Sequence, residues 1–277
     1  MRLAVCLFGS RGHKQRDGFG GGVELLKHSA PAAFVSANLG PIAAAAGMQA
    51  AGRQRSESPS PAHSDQNALK MLRKRKEHDA EAVLADDGLT ASGPPRFLLS
   101  GWACRQSIMA DGRRQIFCFL IPGNIVTMPS KSLSLASVVA VTPCVTAQVL
   151  LSEDTHARGV PVPDYSALMD GAERETQKLL HDHIMRLGCM NGLERMAHLL
   201  LELHRRLSQV GLSNGQSFPM PLRQDALGDA LGMSAVHVNR TLQKLRNNML
   251  INYSGREVTI LDAERLSDMA QGAIAAA

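Results

Sequence analysis

His237, Asn239, Arg240, Gln243 and Lys244 fall in one short stretch, between aliphatic residues at Val238, Leu242 and Leu245. Aliphatic side chains at i, i+4 and i+7 mark one face of a helix, so the polar set lies on the opposite face together with Ala235 and Val236. The chemistry open to such a face is the reading of base edges. A guanidinium can donate two parallel bonds to guanine, an amide or imidazole can donate or accept, and a small aliphatic group can touch the thymine methyl. Arg240 is the strongest candidate, with Ala235, Val236, His237 and Asn239 beside it.

A reading face is useful only if other elements aim it. Leu222 to Leu231 reads as a short helix with Ala226, Leu227, Ala230 and Leu231 turned inward, and Gly232 follows where the chain must turn sharply. Ser234 is a good N-cap for a second helix over Ala235 to Asn247. Two helices joined by a tight glycine-containing turn make a helix-turn-helix, whose second helix presents its N-terminal residues to the major groove. Met249 to Ile251 and Glu257 to Leu261 then read as two short strands around Ser254-Gly255, a wing with Arg256 at its tip. Arg223, Gln224, Ser234, Lys244 and Arg256 are the candidates for phosphate contact, which positions the module without reading sequence. Helix–glycine–helix pairs abound in α-helical proteins; the hairpin and the polar face are what favour nucleic acid. The competing reading is a winged helix that binds another protein, and salt-dependent binding to duplex DNA separates the two.

The rest of the chain sets the context. With 277 residues it is long enough for two cores, and a net charge of +5 is compatible with a polyanionic partner. Five scattered cysteines, none in a C-x-x-C pair, argue against a disulfide framework, a zinc site or an iron–sulfur cluster. Cys104, Cys118 and Cys144 read as small buried apolar residues, Trp102 as core or interface, and His181 and His183 as facing different sides of a helix. Neither a cofactor nor a metal is expected. A glycine-rich phosphate loop, H-E-x-x-H and G-x-S-x-G are all absent, and Glu153, Asp154 and His156 lie in a loop without a partner pattern, so an enzyme is not expected. The N-terminal apolar run is too short for an export signal and no stretch is long enough to span a bilayer, which makes a cytoplasmic location the expectation.

Residues 1 to 65, with Gly20 to Gly22, Ala43 to Ala46 and the Ser/Pro stretch Ser56 to Pro61, read as a disordered extension; a translation start downstream of them is the alternative. Leu69 to Asp86, carrying Lys70, Arg73, Lys74, Arg75 and Lys76, is charged and helix-compatible. Short strand-like runs follow at Phe97 to Leu99, Ala103 to Ile108, Gln115 to Ile121, Ser137 to Val141 and Val145 to Leu150, with Asp111-Gly112 as a tight hairpin turn. After Pro161 and Pro163 the helical period returns through Leu187 and again from Leu193 to Leu207.

Taken with the runs RQDALGDALGMSAVHVNR at 223–240, LQKLR at 242–246 and VTIL at 258–261, the chain resembles the Crp/Fnr family of regulators. FLLSGWACR at 97–105, DGRRQ at 111–115 and FLIPGN at 119–124 are similar to strands and turns of that family's cyclic-nucleotide-binding-like barrel. The resemblance implies an α+β protein: a partial or divergent jelly-roll-like β-barrel, a long connecting and dimerisation helix, and a C-terminal winged helix-turn-helix. The corresponding boundaries are 66–160, 161–190 and 191–264, with 265–277 as a tail and no clear first barrel strands ahead of Asp86. It implies double-stranded DNA, a second copy of the chain, RNA polymerase and a small-molecule effector as partners. The family's common glutamate on the recognition helix corresponds to Val236, and the Glu and Arg that hold a cyclic nucleotide are missing between Ile121 and Val141, which argues against cyclic AMP.

Overall fold

The computed structural model describes residues 72–85, 95–127, 136–149 and 165–275. The expected extension at 1–65 and the loop of Glu153, Asp154 and His156 lie outside the described residues. Eight strands form the first half: β1 (Leu72–His78), β2 (Val83–Ala85), β3 (Arg96–Ser100), β4 (Ala103–Ile108), β5 (Arg114–Leu120), β6 (Ile125–Thr127), β7 (Ser137–Ala140) and β8 (Cys144–Val149). They pair into two antiparallel sheets, β1-β8-β3-β6 and β2-β7-β4-β5. That alternation of the chain between sheets is the double-sheet order of a jelly roll. The strands follow from branched and aromatic residues with one face turned inward: Leu98, Ala103, Cys118, Leu120, Val138, Ala140 and Cys144 meet between the sheets.

Two expectations fail at the start of the barrel. Leu69 to Asp86 is not helical over its described part, and the first strands are not missing, since β1 and β2 supply them. The basic run offers no apolar stripe to hold a helix on a core. Its backbone bonds instead to β8, with Leu72 opposite Val149 and His78 opposite Cys144, and a bulge between Arg73 and Lys76 leaves Lys74 at φ 48°. Charged side chains suit β1 because it is an edge, where they discourage pairing with other chains. The β4–β5 turn also differs from the two-residue form: Met109 to Arg113 make a longer loop in which Gly112 N–H donates to Met109 O, Asp111 Oδ1 accepts from Arg113 N–H, and Gly112 has a positive φ of 86° while Asp111 does not.

Helix α1 (Tyr165–Cys189) leads from the barrel and α2 (Gly192–Gln209) follows at once. Asn191 starts α2 with a capping box to Glu194. Met196, Ala197, Leu199, Leu200, Leu203 and Leu207 of α2 are buried, and each Leu so placed contributes about 2 kcal/mol of apolar burial. The remaining elements are β9 (Ser217–Pro219), α3 (Gln224–Leu231), α4 (Ala235–Asn247), β10 (Ile251–Ser254), β11 (Glu257–Ile260) and α5 (Ala263–Ala275). The expected tail at 265–277 is therefore helical as far as Ala275, and Leu266 and Ala270 of α5 are buried in the same core as α2. That core extends to the barrel, where Trp102, Cys104, Ile116, Phe119 and Ile121 join it.

Among the described residues no helix is long and apolar enough to cross a membrane, and no group of three metal-ligating side chains occurs. Burial pushes the Cys104 thiol up to about 12 and the Cys144 thiol up to about 11, so both remain protonated packing residues.

Candidate nucleic-acid interface

Helix α3 ends in Gly232, whose φ of 64° lets the chain reverse, and its N–H caps Gly228 O. Gly228 is required for a different reason: a Cβ there would lie 2.4 Å from Met233 O, so the turn closes directly over it. Ser234 Oγ accepts the His237 N–H at 3.2 Å and starts α4. Val238, Thr241, Leu242 and Leu245 anchor α4 in the core. Thr241 was not among the inward residues read from the sequence, although it lies three residues after Val238 and four before Leu245 and so shares their face; its hydroxyl kept it out of an aliphatic pattern.

The other face of α4 stands in solvent. Ala235, Val236, His237, Asn239, Arg240, Gln243 and Lys244 are all exposed, as their spacing requires. Val236 is 63% exposed, an uncommon position for a branched aliphatic on a helix that has a core available to it. At the start of α3, Arg223 is exposed and Gln224 half-buried. The Arg223 guanidinium bonds both oxygens of Asp225, at 3.1 and 2.6 Å, and this bond holds the Asp225 carboxyl below the usual carboxylate range. Asp225 thus competes for the cation that a phosphate would need.

The wing forms from β10 and β11, with Ile251 opposite Ile260 and Ser254 opposite Glu257. Gly255 takes the first turn position at φ 64°, and Arg256 occupies the second, exposed. A third strand, absent from the sequence reading, steadies it: β9 pairs with β11, and Met220 N–H donates to Arg256 O at 2.7 Å. Arg223, Ser234, Lys244 and Arg256 thus all belong to the winged unit and are exposed.

Sequence reasoning missed how this unit is seated. On the barrel side, the Arg114 guanidinium lies 2.6 Å from Asp229 of α3, and Gln115 Nε2 donates to Asp229 O at 2.7 Å. Under α1 and α2, Glu202 takes Arg186 and Arg206 together, and Arg206 also donates to Phe119 O and Asn124 Oδ1. Burial alone would raise the Glu202 carboxyl, but the two guanidinium groups outweigh it and hold it below the usual range.

A Crp-like helix-turn-helix domain model matches residues 194–269. The chain is 30% identical over 194 residues to the transcriptional activatory protein AadR of Rhodopseudomonas palustris, covering 69% of this chain and 78% of that one. It is 28% identical to the nitrogen fixation regulation protein FixK of Bradyrhizobium diazoefficiens, with the same coverage. The fold is that of FixK2 from Bradyrhizobium japonicum, at a TM-score of 0.59, 22% identity, and 71% and 96% of the two chains. A Crp/Fnr-family regulator from Thermus thermophilus shares it at a TM-score of 0.52 and 18% identity, over 72% of this chain and all of the other. Since identity at the level of AadR extends well beyond the winged helix and into the barrel half, the chain belongs to the Crp/Fnr family of DNA-binding transcription regulators.

Proposed function

We propose that the protein regulates transcription as a homodimer that lays two copies of α4 in successive major grooves of a pseudo-palindromic operator. The observation that carries this reading is the outward face of α4, which combines the exposed Ala235 and Val236 with a stripe of hydrogen-bonding side chains. Arg240 is the principal base reader, with Ala235, Val236, His237 and Asn239 completing the set; Arg223, Gln224, Ser234, Lys244 and Arg256 meet phosphates. Arg223 exchanges Asp225 for a phosphate oxygen as the duplex docks.

The dimer seam runs along α1. Leu179 faces the barrel, whereas Leu180 is 38% and Ile184 67% exposed. With Gln177, Leu180, Ile184 and Leu187 at alternating spacings of three and four, Ile falls at an a position and Leu at d, the combination that favours two parallel strands. Closed two-fold pairing sets the recognition helices about one helical turn of DNA apart. A cavity of about 270 Å³ between the β5–β6 edge and the helices, lined by Cys118, Leu120, Glu175, Thr176, Leu179 and Arg206, is the place where a small effector would press on α1. RNA polymerase is the downstream partner.

Selection of bound duplexes from a random library, with and without small-molecule extract, tests the whole reading. A two-fold symmetric consensus is expected; recovery of sequences without any consensus at either condition would sink it.

A further inference from the structure

We infer that Arg195 is the positioning residue that fixes the aim of the recognition helix relative to the dimer helix. The inference rests on the reading of α4 as the base-reading element of a dimer. Arg195 lies in the first turn of α2, between the end of α1 and the helix-turn-helix. Each of its three guanidinium nitrogens has a carbonyl: Nε donates to Met190 O at 2.8 Å, Nη2 to Leu187 O at 3.0 Å and Nη1 to Leu231 O at 2.9 Å.

Leu187 O is in the last turn of α1, Met190 follows that helix, and Leu231 O closes α3. The last carbonyls of a helix have no partner within it and carry the negative end of its dipole, so a cation there is doubly favoured. One planar, five-donor group thus closes the ends of two helices that share no backbone bond. The packing around it leaves little room for slip. A Cβ on Gly232 would lie 3.2 Å from Leu187 Cδ2 and 3.4 Å from Arg195 Nη1. A Cβ on Gly192 would lie 3.0 Å from His237 Nε2 and 3.1 Å from Met233 Sδ, so the turn and the first residues of α4 rest on the same hinge. A rotation at the end of α1 is passed through this guanidinium to α3, and through the turn to α4.

Two linked half-sites give avidity only when geometry lets both be engaged at once, so the clamp should show itself in spacing. Wild type and Arg195→Ala would be titrated against the selected duplex, against the same half-sites moved apart by one and two base pairs, and against a single half-site. Wild type should lose at least about tenfold on misspaced duplexes, while Arg195→Ala should discriminate by less than about threefold and bind the single half-site unchanged. Arg195→Lys keeps the charge without the planar fork and should also flatten the profile. A second readout needs no DNA: in protein with Cys6 and Cys189 replaced by serine, spin labels at Asp268→Cys on α5 report the distance between the two winged units of the dimer. Arg195→Ala should broaden that distribution. A variant with the wild-type spacing profile and distance width overturns the proposal, as does an equal loss on every duplex with a lowered melting temperature, which would mark a merely structural role. If wild type shows no preference for paired half-sites while the distances still broaden in Arg195→Ala, the operator reading fails and the clamp stands.

Discussion

Arg240 and Lys244 stand one turn apart on the same exposed face, yet they are expected to do different work, and salt separates them. If Arg240 pairs with a base, Arg240→Ala costs about 1 to 3 kcal/mol on the selected operator and relaxes preference at one position. Lys244→Ala should instead weaken binding evenly across sequences and reduce the slope of log affinity against log salt by about one. Fluorescence anisotropy titrations at several salt concentrations give both numbers; an Arg240→Ala protein with unchanged preference leaves the reading set without its main member. Both residues were legible in the sequence because a helix face is a local property, fixed by the spacing of Val238, Leu242 and Leu245. Arg195 was not legible, since its three carbonyl partners depend on where two separate helices happen to end.

Among the elements, α1 carries two contrasting faces. On its inner side Arg186 meets Glu202 of α2, which also holds Arg206. Glu202→Gln takes the countercharge from the buried Arg186 and leaves Arg206 with only the more distant Glu175, at 4.0 Å, and should lower the unfolding free energy by about 3 to 5 kcal/mol, read from urea denaturation. A loss below about 1 kcal/mol would mean that water reaches the cluster. On the outer side, if α1 pairs with its copy as proposed, Ile184→Glu sets like charges against each other and should convert the dimer to monomer at micromolar concentration in sedimentation, with the fold of the monomer intact. Why the helices and β3 to β5 could be read while β1, β2 and α5 could not is a matter of range. Helices and hairpins disclose themselves by pattern within a few turns, whereas β1 is held by β8, about seventy residues later, and its Lys and Arg residues carry no strand signature of their own. The alanine-rich segment after Ala263 is read as helix only once Leu266 and Ala270 are seen against α2.

For the molecule as a whole, acid should act at the junction between barrel and helices. His183 reaches from α1 to β5, within 3.4 Å of Gln115 Nε2 and edge-on to Phe117. Burial, then the charge of Arg186, lowers its pKa to about 4; His198 and His78 are lowered too, both chiefly by burial. A histidine whose folded pKa lies below 6.5 is kept neutral in the native state while the unfolded chain takes up a proton. Stability is therefore full above that value and falls as pH drops from about 6.5 towards 4; melting temperatures over this range should decline, and less steeply in His183→Gln. A flat profile would show that these imidazoles are hydrated. Trp102 is the chain's single tryptophan, and it lies 5% exposed in the cluster that the barrel shares with α2 and the winged helix, its ring edge-on to Phe119 at 6.5 Å. The indole is thus a built-in optical gauge of that seam: without any label, a red shift of its emission would time the parting of the two halves, whether effector, acid or operator is what drives them apart.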